Sequence, residues 1–234
     1  AGDGVQVLNQ DDVFCRAMVR PGRAVRRFSL TQPAQYGLCR DGQAVALAVD
    51  GTPVLDFASL QLTGLHNAAN ALAALALCEA IGLDRTRLLA GLCSFKGLAH
   101  RVEHVLQLNG VDFYDDSKGT NVGATVAALT GLGADRRLVV ILGGEGKGQD
   151  FSPLAAPVAR SARAVVLMGR DAPLIRAALQ GAGVALVDAQ TLPHAVQLAA
   201  QHARPGDAVL MSPACASFDM FRDYAHRAQV FRSE

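Results

Sequence analysis

Short apolar runs that alternate with helical stretches are the strongest constraint on the fold of residues 102–234. Runs such as Leu138–Leu142 and Ala208–Met211 contain no polar position on either face, which is typical of strands in a sheet that is covered on both sides. We therefore predict an α/β fold for this part of the chain. It should be a Rossmann-like, mainly parallel sheet with helices on both faces.

The predicted elements of this domain follow from apolar periodicity and turn signals. Its strands are predicted at Val102–Leu108, Val111–Tyr114, Leu138–Leu142, Ala164–Met168, Ala185–Val187 and Ala208–Met211. Its helices are predicted at Asn121–Gly131, Pro153–Arg160, Ala172–Gln180, Leu192–His202 and Phe218–Phe231.

The first part of the chain has a different pattern, of short strands joined by turns. Strands are predicted at Val5–Leu8, Val25–Leu30, Tyr36–Arg40, Ala44–Val49 and Val54–Phe57, and a helix at Asp12–Arg20. They indicate either an antiparallel addition or the tail of a mixed sheet. Two helices follow, at His66–Ile81 and from the Asp84 cap to Ser94. Periodicity breaks near Gly97, so we predict two domains, 1–97 and 98–234.

Composition excludes several classes of protein. The formal net charge of +1 leaves no basic face for a nucleic acid, and no apolar run approaches the roughly 20 residues needed to cross a membrane. Five scattered cysteines without a C-x-x-C pair favour a reducing cytoplasm and small buried side chains over zinc or disulfides. Because the chain opens at Ala1-Gly2-Asp3-Gly4 without a methionine, we expect a piece of a longer protein.

Polar residues follow a predicted strand in the stretch Tyr114–Asn121, which contains two acids, a lysine, a serine and a threonine. In doubly wound folds the loop after a strand lies at the carboxyl edge of the sheet, where ligands bind. The alternative is that Asp and Ser here only cap backbone amides.

Three further loops after strands are rich in small residues, namely 143–148, 169–171 and 212–217. Their amides can approach an anion, and Lys147 adds a full positive charge, so they suit a carboxylate or phosphate. The spacing matches neither a P-loop nor a dinucleotide fingerprint. A flexible loop with a solvated Lys147 is the alternative.

Asn67 and Asn70 lie three residues apart on one predicted helix and so share a face. Each offers the donor and acceptor that an adenine edge needs, but a cap and a buried helix-to-helix bond would also explain them. His100 and His104 are four residues apart in a predicted linker and strand, where this spacing does not bring side chains together, so no metal site is predicted there.

Five motifs occur in order along the chain: Gly64–Ala74, Gly97–Arg101, Asp116–Asn121, Leu142–Lys147 and Ser212–Asp219. Together they resemble the Mur ligase family of peptidoglycan synthesis, and within it the ligases that add D-glutamate. The resemblance is strong over about Leu62–Phe231 and loose before it. An Asp-Asn-Pro-Arg signature, carried by the diaminopimelate-adding ligases, is absent, which favours glutamate.

The resemblance implies an ATP-dependent ligation of D-glutamate to UDP-N-acetylmuramoyl-L-alanine through an acyl phosphate. Residues 1–97 would end the central ATP-binding domain, without its P-loop, and 98–234 would form the amino-acid-binding domain. The sugar-binding part and the Mg²⁺ ligands would lie outside this chain, so we expect the chain to be inactive alone. It should be a cytoplasmic monomer.

The resemblance also implies roles for individual residues. The catalytic and ATP-phosphate group is Arg101, Asp116 and Lys118, and the adenine group is Asn67 and Asn70. The D-glutamate group is Thr120, Lys147, Ser217, Phe218 and Tyr224. Tyr224 and Gly119 depart from the family's usual phenylalanine and alanine. Two alternatives stay open: a non-catalytic nucleotide or amino-acid binding module, and a ligase similar to folylpolyglutamate synthetase.

Overall fold

A computed structural model describes residues 4–42, 44–62 and 64–234. The chain forms two compact units, Ala1–Gly97 and Leu98–Glu234. None of the described helices combines the length and the hydropathy needed to cross a bilayer.

The first unit is built on a five-stranded sheet in the order β1-β2-β3-β4-β5. Its elements are β1 (Gln6–Asn9), α1 (Val13–Ala17), β2 (Val25–Phe28), β3 (Tyr36–Asp41), β4 (Ala44–Val49), β5 (Thr52–Asp56), α2 (Leu65–Ala80) and α3 (Arg85–Ser94). Strands β1 to β3 are parallel, whereas β3, β4 and β5 are joined as antiparallel hairpins. The alternatives predicted from sequence were an antiparallel addition and a mixed sheet, and the observed sheet is mixed.

A buried apolar cluster joins this sheet to α2. Tyr36 and Leu47 on the strands pack with Leu72 and Leu75 on the helix. Helix α1 is shorter than the predicted Asp12–Arg20, because it ends at Ala17 and buries none of its side chains. Without packing, nothing offsets the entropy of extending a short helix.

The second unit contains a six-stranded sheet in the order β10-β9-β8-β11-β7-β6. Its strands are β6 (Glu103–Leu108), β7 (Val111–Asp115), β8 (Leu138–Gly143), β9 (Ala162–Met168), β10 (Ala185–Asp188) and β11 (Ala208–Met211). Its helices are α4 (Val122–Leu132), α5 (Ala155–Ser161), α6 (Ala172–Leu179), α7 (Leu192–His202) and α8 (Tyr224–Ser233). Only β6 is antiparallel to its neighbour among these strands. The predicted Rossmann-like sheet is confirmed.

Two apolar clusters cover the two faces of this sheet. Leu138, Val140 and Leu142 belong to one cluster, and Val139 and Ile141 belong to the other. The run Leu138–Leu142 is buried throughout, as its lack of polar positions predicts.

Helix α8 was predicted to begin at Phe218 but begins at Tyr224. The Ser217 carbonyl accepts from the amides of Met220 and Phe221, so this segment forms a turn, and Asp223 then caps the helix. Phe218 is 64% exposed. Phe218 therefore lies on the surface in a turn, although its spacing to the following apolar residues is helical.

The expectation that the cysteines are small buried side chains is correct for Cys215 alone. The other four thiols are free and only partly buried: Cys15, Cys39, Cys78 and Cys93.

Candidate functional site

Four neighbouring strands of the second unit end at one edge of its sheet. Their order is β9-β8-β11-β7 and all are parallel. We call the loops that follow them the rim, defined as residues 116–121, 144–151, 169–171 and 212–219. Backbone hydrogen bonds hold these loops together. Asp171 N donates to Gly144 O (3.1 Å), a bridge joins Glu145 and Ala216, and Asp116 N donates to Met211 O at the end of β11 (2.9 Å). The predicted convergence of the polar loops is present.

Asp116 opens the first rim loop, and its carboxylate is turned into the protein. Its Oδ2 accepts from Ser212 Oγ at 2.6 Å, and its Oδ1 accepts from the Val102 amide at 3.3 Å. Burial raises the pKa of Asp116 to about 6, although the bonds from Ser212 and Val102 oppose this shift. The side chain joins the first and last rim loops, and it is 5% exposed.

Gly119 is one of the two positions at which the chain departs from the pattern of the family it resembles. A Cβ at this position would meet Asp116 Oδ2 and Ser212 Oγ. Because these two atoms already share a short hydrogen bond, glycine fits the tight approach of the loop to Asp116.

Lys118 is exposed at the rim, and its ammonium lies over an aromatic ring. Its Nζ is 3.9 Å from the centre of the Tyr224 ring, a cation–π distance. Its backbone amide donates to the His100 carbonyl at 3.1 Å. Thr120 follows at the same loop, partly buried, and its amide donates to the Lys118 carbonyl at 2.8 Å.

Lys147 is exposed on the second rim loop and has a left-handed backbone, with φ of 53°. Its Nζ is 5.5 Å from the centre of the exposed Phe218 ring. The loop around it is anchored, because the Gly146 amide donates to Asp171 Oδ2 at 2.6 Å and Gln149 donates to the Ala214 carbonyl at 2.7 Å. The backbone of the loop is therefore anchored, and the side chain of Lys147 is exposed, as the alternative of a solvated lysine expects.

The last rim loop carries Ser217 and Phe218 side by side. Ser217 is 3% exposed, whereas Phe218 projects from the surface. The small residues before them let this loop pack closely against the end of β8, where the Gly143 amide donates to the Pro213 carbonyl at 2.9 Å. Lys147, Ser217 and the Phe218 backbone thus belong to adjacent loops.

Arg101 is exposed at the start of the second unit, between two residues in the left-handed region. His100 has φ of 64° and Val102 has φ of 48°, an uncommon conformation for a β-branched residue. Hydrogen bonds hold this strained segment: the His100 amide donates to Glu103, and the Val102 amide donates to Asp116. Strain of this kind persists only where surrounding contacts fix it.

Asn67 and Asn70 lie in the other unit, in the first turns of α2. Asn70 Nδ2 donates to Asn67 Oδ1 at 3.4 Å, so the two do share a face. The N-cap residue of α2 is Gly64, so neither asparagine occupies the N-cap position. Asn70 is exposed, so a buried helix-to-helix bond from this residue is not observed.

Within the described ranges, one group of side chains has atoms close enough to share a metal ion, and it comprises His100, Glu103 and Asp115. His104 is not part of it and contacts Asp112 instead. The three groups already bind within the protein: His100 Nδ1 lies 2.7 Å from Asp115 Oδ2, and Glu103 pairs with Arg232 at 3.0 Å. Mg²⁺ prefers an octahedral shell of oxygen atoms, which this set does not offer.

Arg227 on α8 is buried beneath the rim and is not among the residues predicted from sequence. Its guanidinium donates to the carbonyls of Ser117 and Cys215. No local feature of the sequence indicates this burial, because a charged residue on a helix is normally solvated.

Comparison with protein families matches residues 100–215 to the family described as Mur ligase, glutamate ligase domain. Among curated relatives, the chain is 61% identical over 230 residues to a UDP-N-acetylmuramoylalanine–D-glutamate ligase of Chromobacterium violaceum, covering 98% of this chain and 50% of that protein. It is 59% identical to the ligase of the same name from Thiobacillus denitrificans, covering 99% and 48%. The chain therefore spans about half the length of these relatives.

Solved structures agree on the fold. The chain is similar to MurF from Acinetobacter baumannii, with a TM-score of 0.73 and 19% identity over 100% of this chain and 52% of that one. It is also similar to a Mycobacterium tuberculosis folylpolyglutamate synthase complexed with ADP, with a TM-score of 0.70 and 20% identity over 98% and 55%.

Proposed function

Because this chain belongs to the Mur ligase family, we propose that it is part of an ATP-dependent ligase that joins D-glutamate to UDP-N-acetylmuramoyl-L-alanine. The names of the relatives at 61% and 59% identity support this substrate choice. In this proposal residues 1–97 complete a central ATP-binding domain, and residues 98–234 form the amino-acid-binding domain. The reaction takes place in the cytoplasm and supplies a peptidoglycan precursor.

The observation that carries the proposal is an exposed lysine at the rim that forms no ion pair with the described residues. In the described part of the chain, Lys147 makes no ion pair, whereas the nearby Arg170 is held by Glu145 and Asp171. A dianionic amino acid needs charge-assisted donors of this kind. We assign Lys147, Thr120 and the loop of Ser217 and Phe218 to the two carboxylates of D-glutamate, with Tyr224 beside them.

In the second unit we assign Arg101, Asp116 and Lys118 to the phosphate end of ATP. In the first unit we assign Asn67 and Asn70 to the adenine. Arg101 and Lys118 supply positive charge to phosphates. The carboxylate of Asp116 points into the protein, so its role in this proposal is to order the loop that carries Lys118. We assign no Mg²⁺ ligands to this chain, and the ion would be held by other parts of the ligase.

The chemistry joins these groups in two steps. The terminal phosphoryl group of ATP passes to a carboxylate oxygen of UDP-N-acetylmuramoyl-L-alanine, and ADP leaves. The uncharged amine of D-glutamate then attacks the acyl carbon, and the tetrahedral intermediate loses inorganic phosphate. Binding of both carboxylates at the rim orients the amine of D-glutamate towards the acyl carbon, and this positioning raises the rate. The other enantiomer, bound by the same two carboxylates, would direct its amine elsewhere.

D-glutamate binding to the isolated chain tests the amino-acid site. Titration followed by NMR should move the amide resonances of Thr120, Lys147 and Phe218, and L-glutamate should move them much less. Equal responses to the two enantiomers, or none to D-glutamate, would contradict the proposal.

Turnover tests the whole reaction. The chain joined to the upstream half of a close relative should release phosphate with ATP, UDP-N-acetylmuramoyl-L-alanine and D-glutamate together. Release with folate and L-glutamate instead would indicate the folylpolyglutamate class. Binding without turnover in this complete form would indicate a non-catalytic module.

A further inference from the structure

Arg227 is the largest of the completely buried side chains in the described part of the chain. Its Nη2 donates to the Ser117 carbonyl at 2.9 Å, and both Nη atoms donate to the Cys215 carbonyl at 3.2 Å. A single guanidinium thus ties the segment just before Lys118 to the rim loop 212–219.

The charge of this guanidinium has no direct counter-ion. Among the described residues it takes part in no ion pair within 4.0 Å, and its Nε has no hydrogen-bond partner. Three carboxylates act on Arg227, and all of them bind elsewhere. Asp219 accepts from the Arg170 amide, Asp115 contacts His100 and Ser117, and Asp116 accepts from Ser212. Burial lowers the pKa of Arg227 to about 10, so the group stays protonated at neutral pH.

A buried cation with so few partners is costly, and packing alone would be served as well by an apolar side chain. An orphaned buried polar atom in a folded protein calls for another explanation. The position of Arg227 offers one, because it lies three residues after Tyr224 and therefore on the same face of α8. Helix α8 contacts two successive residues of the rim loop, Ser117 through Arg227 and Lys118 through Tyr224.

We infer that Arg227 is a positioning residue of the proposed D-glutamate site. By holding the carbonyls of Ser117 and Cys215, it fixes the spacing between the loop of Lys118 and the loop of Ser217. Its charge also makes the potential at the rim more positive, which favours a dianion. This inference rests on the proposed function and extends it to a residue that does not touch the ligand.

Arg227→Met tests the inference, with Arg163→Met as the matched control. Arg163 is an equally charged side chain near the start of β9, at the opposite edge of the sheet, where its Nη2 donates to Asp207 Oδ1 at 2.9 Å. In NMR titrations with D-glutamate, Arg227→Met should bind about tenfold more weakly than the wild type. Arg163→Met should stay within about twofold of the wild type, although it also loses a charged pair.

A second measurement on the wild-type chain does not depend on the variant folding. With ¹⁵N-labelled arginine, the Nε resonance of Arg227 should shift in step with D-glutamate saturation, while that of Arg163 stays fixed. An arginine that only supports the fold would not respond to the ligand.

The outcomes separate the two claims. If the wild type binds D-glutamate and either folded Arg227→Met binds equally well or the Arg227 resonance stays still, the positioning role is wrong and the proposed function survives. If the wild type does not bind D-glutamate, the proposed function is wrong and the inference is wrong with it.

Discussion

The ammonium of Lys118 lies 3.9 Å from the centre of the Tyr224 ring. This contact joins a rim loop that follows β7 to the first residue of α8, more than a hundred residues later in the chain. The lysine is exposed and the ring is partly buried, so the ring limits the directions in which the ammonium can point.

Energetic coupling between Lys118 and Tyr224 is therefore expected in the stability of the protein. A double-mutant cycle with Lys118→Met and Tyr224→Leu, read by urea unfolding, should give a coupling of about 0.5–1 kcal/mol. Tyr224→Phe should keep the coupling, because a phenyl face also attracts a cation. The pair of Lys147 and Phe218, at 5.5 Å, is the internal control and should couple less. Equal coupling in both pairs would show that the ring contact of Lys118 carries no particular weight.

Removal of the Lys147 charge should weaken D-glutamate binding. Lys147→Met should raise the Kd by about tenfold or more, since a lost charge-assisted bond to a carboxylate has that effect. The exposed Lys96 lies in the other unit, and Lys96→Met is the control that should leave the Kd unchanged. In a complete ligase, Lys147→Met should impair the use of D-glutamate far more than the use of ATP. A larger effect on ATP would mean that Lys147 is assigned to the wrong substrate.

Sequence periodicity was enough to predict the second unit's sheet, because runs such as Leu138–Leu142 fit only a strand that is buried on both faces. The meeting of the rim loops followed from that topology. The start of α8 could not be predicted, since Phe218 and Phe221 keep helical spacing while the Ser217 carbonyl closes a turn. Arg227 was missed for a related reason, because a charged residue on a helix is normally solvated and nothing local marks this one as buried.

Asp116 should make stability depend on pH in an unusual direction. Burial raises its pKa from 3.8 to about 6, so the folded state binds a proton more readily than the unfolded state. Its ionisation therefore costs stability above about pH 6, and the cost disappears as the pH falls towards 4. Asp116→Asn should be more stable than the wild type at pH 7 by about 2 kcal/mol, and the gain should vanish near pH 4. Urea unfolding at both pH values measures this difference.

Asp207 provides the opposite case for comparison. Burial alone would raise its pKa, but hydrogen bonds from Arg163 and the Arg204 amide lower it overall. The stability from this carboxylate is present at neutral pH and is lost as the pH falls through its depressed pKa. Asp207→Asn should thus destabilise the protein at pH 7. The same sign of effect for Asp116→Asn and Asp207→Asn would contradict the account of Asp116.

Gly143 connects the packing of the sheet to the geometry of the rim. It ends β8 with φ of 129°, a region that side chains rarely adopt, and a Cβ there would collide with the Met168 carbonyl on β9. Gly143→Ala should therefore cost about 2–4 kcal/mol in urea unfolding, from backbone strain and from separation of the two strands. Gly181→Ala is the matched control, because its Cβ would meet nothing within 4 Å and its φ is ordinary. Since Gly143 also donates to the Pro213 carbonyl, the variant that still folds should show altered amide resonances at Lys147 and Ser217. Unchanged stability would mean that β8 and β9 can separate locally without strain, and the rim would then not owe its shape to their close approach.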